Sequence, residues 1–261
     1  MDVAAVSRAG GGVGVGGGHF ARDGAPDSKK NELQPWQKRE WCLPTVNADF
    51  VAAMEDVLDL YAESPDPKRP VVCFDETPKQ LIAEVRAPLP LRPGQVERYD
   101  YEYKRNGTRN LFVFLEPRQG WRHLAITATR TMTDFAQQMK WLVDEQYPEA
   151  EVIRLVLDNL NTHRAAALYE TFAPGEARRI LKRLEWHYTP KHGSWLNMAE
   201  MELSVFDRQC LARRIGDEPT LVREVSALES ERNRAHATIN WRFGLDDARL
   251  KLKQLYPSKL N

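Results

Sequence analysis

The run Val71-Val72-Cys73-Phe74-Asp75 and its counterpart Val152-Ile153-Arg154-Leu155-Val156-Leu157-Asp158 decide the fold. Each is a short apolar stretch rich in β-branched residues, bounded by turn-forming sequence, and each ends on an aspartate. Both predict buried strands. Open α/β sheets place their ligand sites beyond the carboxyl ends of strands, so Asp75 and Asp158 are candidates for one shared site. Each must be exposed, paired or metal-bound, because an isolated buried carboxylate is very costly. For either acid alone, a loop aspartate capping the next helix is the plainer alternative.

Outward from these strands, the spacing of Phe50, Met54, Val57, Leu58 and Tyr61 predicts an amphipathic helix over 47–61, with Asn47 or Asp49 as its cap. Between residues 96 and 130 come strand-like pieces separated by Asn106-Gly107 and Gln119-Gly120, which predict antiparallel hairpins. A helix from about Thr133 places Phe135, Met139, Leu142 and Val143 on one side. Helices are expected over 165–172 and 176–184, a short strand over 185–188, and a long helix over 195–214 capped by Ser194. This order of strands and flanking helices is an α/β arrangement.

The long helix offers a third acid. Glu200 and Glu202 point roughly 200° apart around it, so both cannot face one site. Leu196, four residues earlier, inclines the reading towards Glu200 without excluding Glu202. Ligands that are all oxygen suit Mg²⁺ or Mn²⁺ better than zinc. Two such ions about 4 Å apart serve phosphodiester chemistry, activating one oxygen and stabilising the other. A pair of acids could instead work on glycosides, but no aromatic sugar platform accompanies them. Around the acids, Glu76, Asn159, His163, Lys191, His192, Trp195 and Asn197 are candidates to support the carboxylates or to touch DNA. Structural roles fit several of them equally: His163 as a satisfied core histidine, Asn159 as a helix-start residue, Trp195 as core.

The 261 residues are 42% hydrophobic, enough for a core, and carry 37 basic against 37 acidic side chains. Net charge therefore does not advertise nucleic acid. Basic residues do cluster, at Arg178, Arg179, Lys182 and Arg183, at Arg208, Arg213 and Arg214, and at Arg232, Arg234 and Arg242. Cys42, Cys73 and Cys210 are odd in number and far apart, against both a disulfide framework and a CxxC zinc site. No apolar run is long enough for a membrane span and no leader pattern opens the chain, so a reducing cytoplasm is expected. Residues 1–32, with GGGVGVGGGH, have no hydrophobic periodicity and predict a disordered tail rather than a nucleotide-binding loop. Residues 33–69 are then a linker and helix, 70–216 the core, and 217–261 a helical extension.

Three strings, VVCFDET around Asp75, VLDNLNTH around Asp158 and YTPKHGSWLNMAE ending at Glu200, resemble the transposases of the insertion-sequence-630 family, relatives of the mariner elements. The resemblance runs from about Leu33 into NWRFGLDDARLKLKQLYP. It implies a ribonuclease-H-like mixed sheet flanked by helices, and a catalytic, metal-binding triad of Asp75, Asp158 and Glu200, which selects Glu200 over Glu202. It implies Mg²⁺ or Mn²⁺ as two ions, no nucleotide cofactor, transposon ends and target DNA as double-stranded partners, a homodimer, and a nucleoid-associated bacterial location without membrane. The chemistry would be metal-dependent hydrolysis followed by attack of the freed 3′-hydroxyl on target DNA. Relatives begin with helix-turn-helix modules that bind terminal repeats. The Gly-rich start lacks that pattern, so a truncated copy is expected. The alternative function is then a catalytically silent partner that inhibits full-length enzyme, or a general nuclease on the same fold.

Overall fold

The computed structural model describes residues 48–256. The expected tail over 1–32, the start of the linker, Cys42 and the possible cap Asn47 lie outside the described residues. The first helix, α1, spans Ala48–Ala62 and buries Phe50, Met54, Val57, Leu58 and Tyr61, the residues its spacing selects.

Five strands form one sheet in the order β3-β2-β1-β4-β5. They are β1 (Val71–Glu84), β2 (Tyr103–Glu116), β3 (Trp121–Thr127), β4 (Ile153–Leu157) and β5 (Leu184–Tyr188). The first three pair antiparallel, while β4 pairs parallel with β1 and β5. Helices α2 (Met132–Trp141), α3 (Ala165–Thr171) and α4 (Pro174–Leu181) cover one face, and α5 (Met198–Phe206), α6 (Glu218–Arg234) and α7 (Leu245–Lys251) complete the helices of the described residues. The sheet is mixed and helix-flanked, the α/β class expected.

Three sequence expectations are corrected. The strand at Val71 does not stop at Phe74 but runs through Asp75 and Pro78 to Glu84. It pairs with β4 only from Val71 to Cys73, and its remainder pairs with β2 alone. An open edge tolerates proline, which cannot donate to a ladder, so the polar DETPKQ segment extends the strand despite its composition. Asn106-Gly107 is not a hairpin turn. It lies inside β2, where a register shift opposite Gln80–Ile82 absorbs the extra residues and Gly107 takes φ +95°. The reversal between β1 and β2 occurs instead around Arg92–Gln95, with Gly94 at φ +74°.

The third correction concerns the long helix. Ser194 begins only a single 3₁₀ turn, and α5 starts at Met198 with Asn197 as its cap, the Asn197 side chain accepting from the Ala199 N–H at 3.1 Å. After Phe206 the chain continues as a π turn over Asp207–Leu211. By contrast α2 and the π turn that continues it over Leu142–Gln146 keep the expected face: Phe135, Met139, Leu142 and Val143 are all fully buried, and Thr131 with Asp134 forms a capping box at the start of α2.

Side-chain alternation assigns the faces. Val72, Phe74, Leu155 and Leu157 join the core under α2, α3 and α4. Cys73, Leu115 and Val156 point the other way and pack with Met54, Val57 and Leu58 of α1 and Met198 and Ala199 of α5. Asp75 therefore emerges on the α5 face and Glu76 on the opposite one. Further along, Phe206, Cys210, Leu221 and Val225 close over Leu81, Leu111, Val113 and Leu124. Cys73 and Cys210 are buried and unpaired, filling space as their pattern suggested.

Candidate active site

Parallel pairing sets the two aspartates side by side. Cys73 lies opposite Val156, and Asp75 and Asp158 each follow two residues later. Asn197 brings in the third acid. Its side-chain amide donates to the Phe74 carbonyl at 2.8 Å, immediately before Asp75, while its oxygen caps α5. One fully buried side chain thus fixes the first turn of α5, which carries Glu200, against β1. Asp75 and Glu200 line a common cavity of about 260 Å³ with Lys79 and Asp207.

Burial pushes the Asp75 carboxyl up to about 7, and the nearby charges of Glu200 and Asp158 push the same way against the bond from the Glu76 N–H. The charge of His163 acts the other way but does not offset burial.

Asp158 is bonded on its other side. Its Oδ1 lies 2.6 Å from His163 Nδ1, and His163 Nε2 lies 3.0 Å from Glu76 Oε2. Arg130 approaches the second Glu76 oxygen at 3.5 Å. Burial opposes a charge on His163, but its bonds to the two carboxylates outweigh burial and lift it to about 9. As an imidazolium it donates to both acids. Burial alone would raise Asp158, yet the His163 bond holds it below the usual carboxylate value. The ring is wedged against Phe74 and Phe135, and Tyr188 donates to the His163 carbonyl at 2.9 Å.

The remaining sequence candidates are placed differently. The Asn159 amide donates to the Thr189 carbonyl at 2.6 Å and ties the end of β4 to the end of β5. Lys191 and His192 are exposed in the loop before α5, His192 with φ +65°, and neither makes a hydrogen bond or ion pair among the described residues. Trp195 is not core: it is exposed beside Glu200, with its ring edge-on to Phe243.

The buried partners of Glu202 escaped sequence reasoning. Glu202, on the opposite side of α5 from Glu200, is enclosed by Arg122 of β3 and Arg232 of α6. Arg122 Nε stands 3.0 Å from Glu202 Oε1 but is not aligned for a hydrogen bond, whereas Arg232 donates to both oxygens at 2.6 and 2.9 Å. The available signal was Arg122 itself, a charge inside the otherwise β-forming WRHLAIT.

Among the described residues no three His, Cys, Asp or Glu side chains are gathered closely enough to hold a metal ion, Asp158 being engaged with His163. The donor chemistry nevertheless fits a hard divalent cation: the converging groups are carboxylates, and Asp75 needs a positive partner to stay ionised.

Acids at the ends of two adjoining pairings of a mixed sheet, with a third on the first turn of a helix tethered to one strand, form a carboxylate-lined α/β site. Residues 70–222, more than half of the 261, match the family described as DDE superfamily endonuclease, and the chain belongs to that family. A comparison with curated proteins finds no match. Among solved structures the chain is similar to the Mos1 mariner paired end complex with Mn, at 15% identity over 80% of this chain and 68% of that one, with a TM-score of 0.46. It is also similar to the Mos1 Strand Transfer Complex, at 15% identity over 80% and 62%, TM-score 0.49. The mariner Mos1 paired end complex with Mg gives 16% identity over 80% and 61%, TM-score 0.47. The chain thus spans 61–68% of the length of those three chains.

Proposed function

We infer that this chain is the catalytic domain of a DNA transposase, in which Asp75, Asp158 and Glu200 act on phosphodiester bonds at transposon ends and in target DNA. The observation that carries this reading is the Asn197 bridge. By bonding the Phe74 carbonyl and capping α5 it sets Glu200 over the cavity that Asp75 lines.

The three acids would hold Mg²⁺ or Mn²⁺, as two ions. When bound, such ions polarise phosphate oxygens and lower the pKa of an attacking water or 3′-hydroxyl. The chain's own residues prepare the place. Asn197 fixes the distance between strand and helix, Glu76 and His163 orient Asp158 from behind, and burial leaves Asp75 in want of a cation. Among the described residues no helix is long and apolar enough to cross a membrane.

A second copy of the chain is the proposed partner. The segment joining β1 to β2 exposes Leu89, Leu91, Val96, Tyr99 and Tyr101 to water. Such a group marks an interaction surface.

Strand joining tests the proposal. A short duplex with a free 3′-hydroxyl is incubated with plasmid, Mn²⁺ and either wild type or Asp158→Ala. The transposase reading expects joined product from wild type and none from the variant. Plasmid nicking without joining would reduce the chain to a plain endonuclease.

A further inference from the structure

Glu200 stands between two cavities. One holds Asp75; the other, of about 570 Å³, opens between α5 and α6 and is lined by Trp195, Met201, Val205, Arg208 and Arg232 as well as Glu200. Its volume falls within the range of small-ligand sites.

Two large apolar side chains of this groove face water. Trp195 is 43% and Met201 46% exposed, although Leu196, Met198 and Phe206 around them are buried. The indole is braced by Phe243, whose ring centre lies 5.5 Å away at an interplanar angle of 78°. An exposed, braced aromatic plane is suited to stacking.

The groove's two cations differ. Arg232 is committed to Glu202 through both carboxylate oxygens. Arg208 is exposed, and its side chain makes no hydrogen bond or ion pair among the described residues. The groove therefore presents a flat π-surface and one uncommitted guanidinium within a single cavity that ends at Glu200. That pairing matches a nucleotide, whose base stacks on an aromatic ring while its phosphate takes a cation. A base inside a duplex has both faces covered by its neighbours, so only an unstacked nucleotide satisfies both groups.

We propose that the groove between α5 and α6 binds one unpaired nucleotide of the DNA strand that runs past the acids, with its base on Trp195 and its phosphate on Arg208. The inference rests on the reading that DNA is handled at Asp75 and Glu200, since Glu200 and Ser204 line both the groove and the cavity of Asp75.

The test uses the full chain and a short duplex ending in a single-stranded overhang that carries the fluorescent base 2-aminopurine. Wild type should quench the overhang fluorescence on binding. Trp195→Ala should lose that quenching and about tenfold in affinity for the overhang, while Trp195→Phe keeps most of both. Arg208→Gln should reduce the slope of log affinity against log salt by about one while quenching persists at saturation. None of the three should weaken binding of the blunt duplex. Equal quenching by wild type and Trp195→Ala, or equal losses on blunt and overhanging duplex, would overturn the proposal, as would preference of the groove for an apolar peptide over the overhang. Melting curves that match wild type establish that each variant is folded. Quenching by a wild type that joins no strands would leave the groove standing and remove the transposase reading. Strand joining without quenching would do the reverse.

Discussion

The guanidinium of Arg232 donates two hydrogen bonds to the carboxylate of Glu202, at 2.6 and 2.9 Å, although the residues lie on different helices. Glu202 is buried, and Glu200 two positions before it is exposed. The buried bond fixes the rotation of α5, and that rotation decides which glutamate meets Asp75.

Removing the buried member should therefore damage the fold. Glu202→Ala leaves Arg122 without its carboxylate in a sealed site and should cost about 3–5 kcal/mol. Glu200→Ala, at the surface, should change stability by no more than about 0.5 kcal/mol. Urea melts of the two variants decide this, and equal destabilisation would contradict the account.

Asn197 does two jobs that substitutions can separate. Asn197→Ala removes the cap of α5 and the bond to Phe74, with a loss of about 1 kcal/mol for the cap alone. Asn197→Asp keeps the cap but places a second acceptor against the Phe74 carbonyl. Both should lower cleavage, and Asn197→Asp should retain more helix by circular dichroism. Full cleavage by Asn197→Asp would show that the Phe74 bond does not position Glu200.

A cation held by the three acids should stabilise the native chain alone. At a hundred times its dissociation constant Mn²⁺ adds about 2.7 kcal/mol, visible as a higher melting temperature. The rise should vanish in Asp75→Asn with Asp158→Asn. An unchanged rise would place the ion elsewhere.

Glu116 provides a pH test away from the acids. Burial raises its carboxyl above the usual value, against the bond that Tyr147 donates at 2.6 Å. A raised acid contributes stability that is fully present below its unfolded pKa of about 4.3 and is lost as pH rises through the folded value. Glu116→Gln mimics the neutral acid. Wild type should therefore lose stability relative to Glu116→Gln as pH rises from about 4 towards neutrality. The opposite slope would refute the burial argument.

Much of this was legible in the sequence where the pattern is local. VVCF and VIRLVL are apolar runs that could only be buried strands, and their terminal acids fell in register because the strands pair parallel. What was hidden depends on partners distant in sequence. The extension of β1 through Pro78 needs β2 beside it, and Asn106-Gly107 reads as a turn until that pairing absorbs it as an irregularity. Ser194 and Asn197 are both good caps, and only the Phe74 carbonyl, more than a hundred residues earlier, distinguishes them. The role of the basic clusters was hidden for a similar reason. Arg179, Arg213, Arg214 and Arg232 are paired with Glu176, Glu224, Glu84 and Glu202, so a run of cations in sequence was not a free positive face.

The central claim is that Asp75, Asp158 and Glu200 act together on phosphodiester bonds. Nicking of supercoiled plasmid in Mn²⁺ tests it most directly, with wild type compared against Asp75→Asn, Asp158→Asn and Glu200→Gln, each checked for a wild-type melting curve. The account predicts metal-dependent nicking by wild type and loss of nicking in all three variants. Nicking that survives any one of the three substitutions in a folded chain would contradict it.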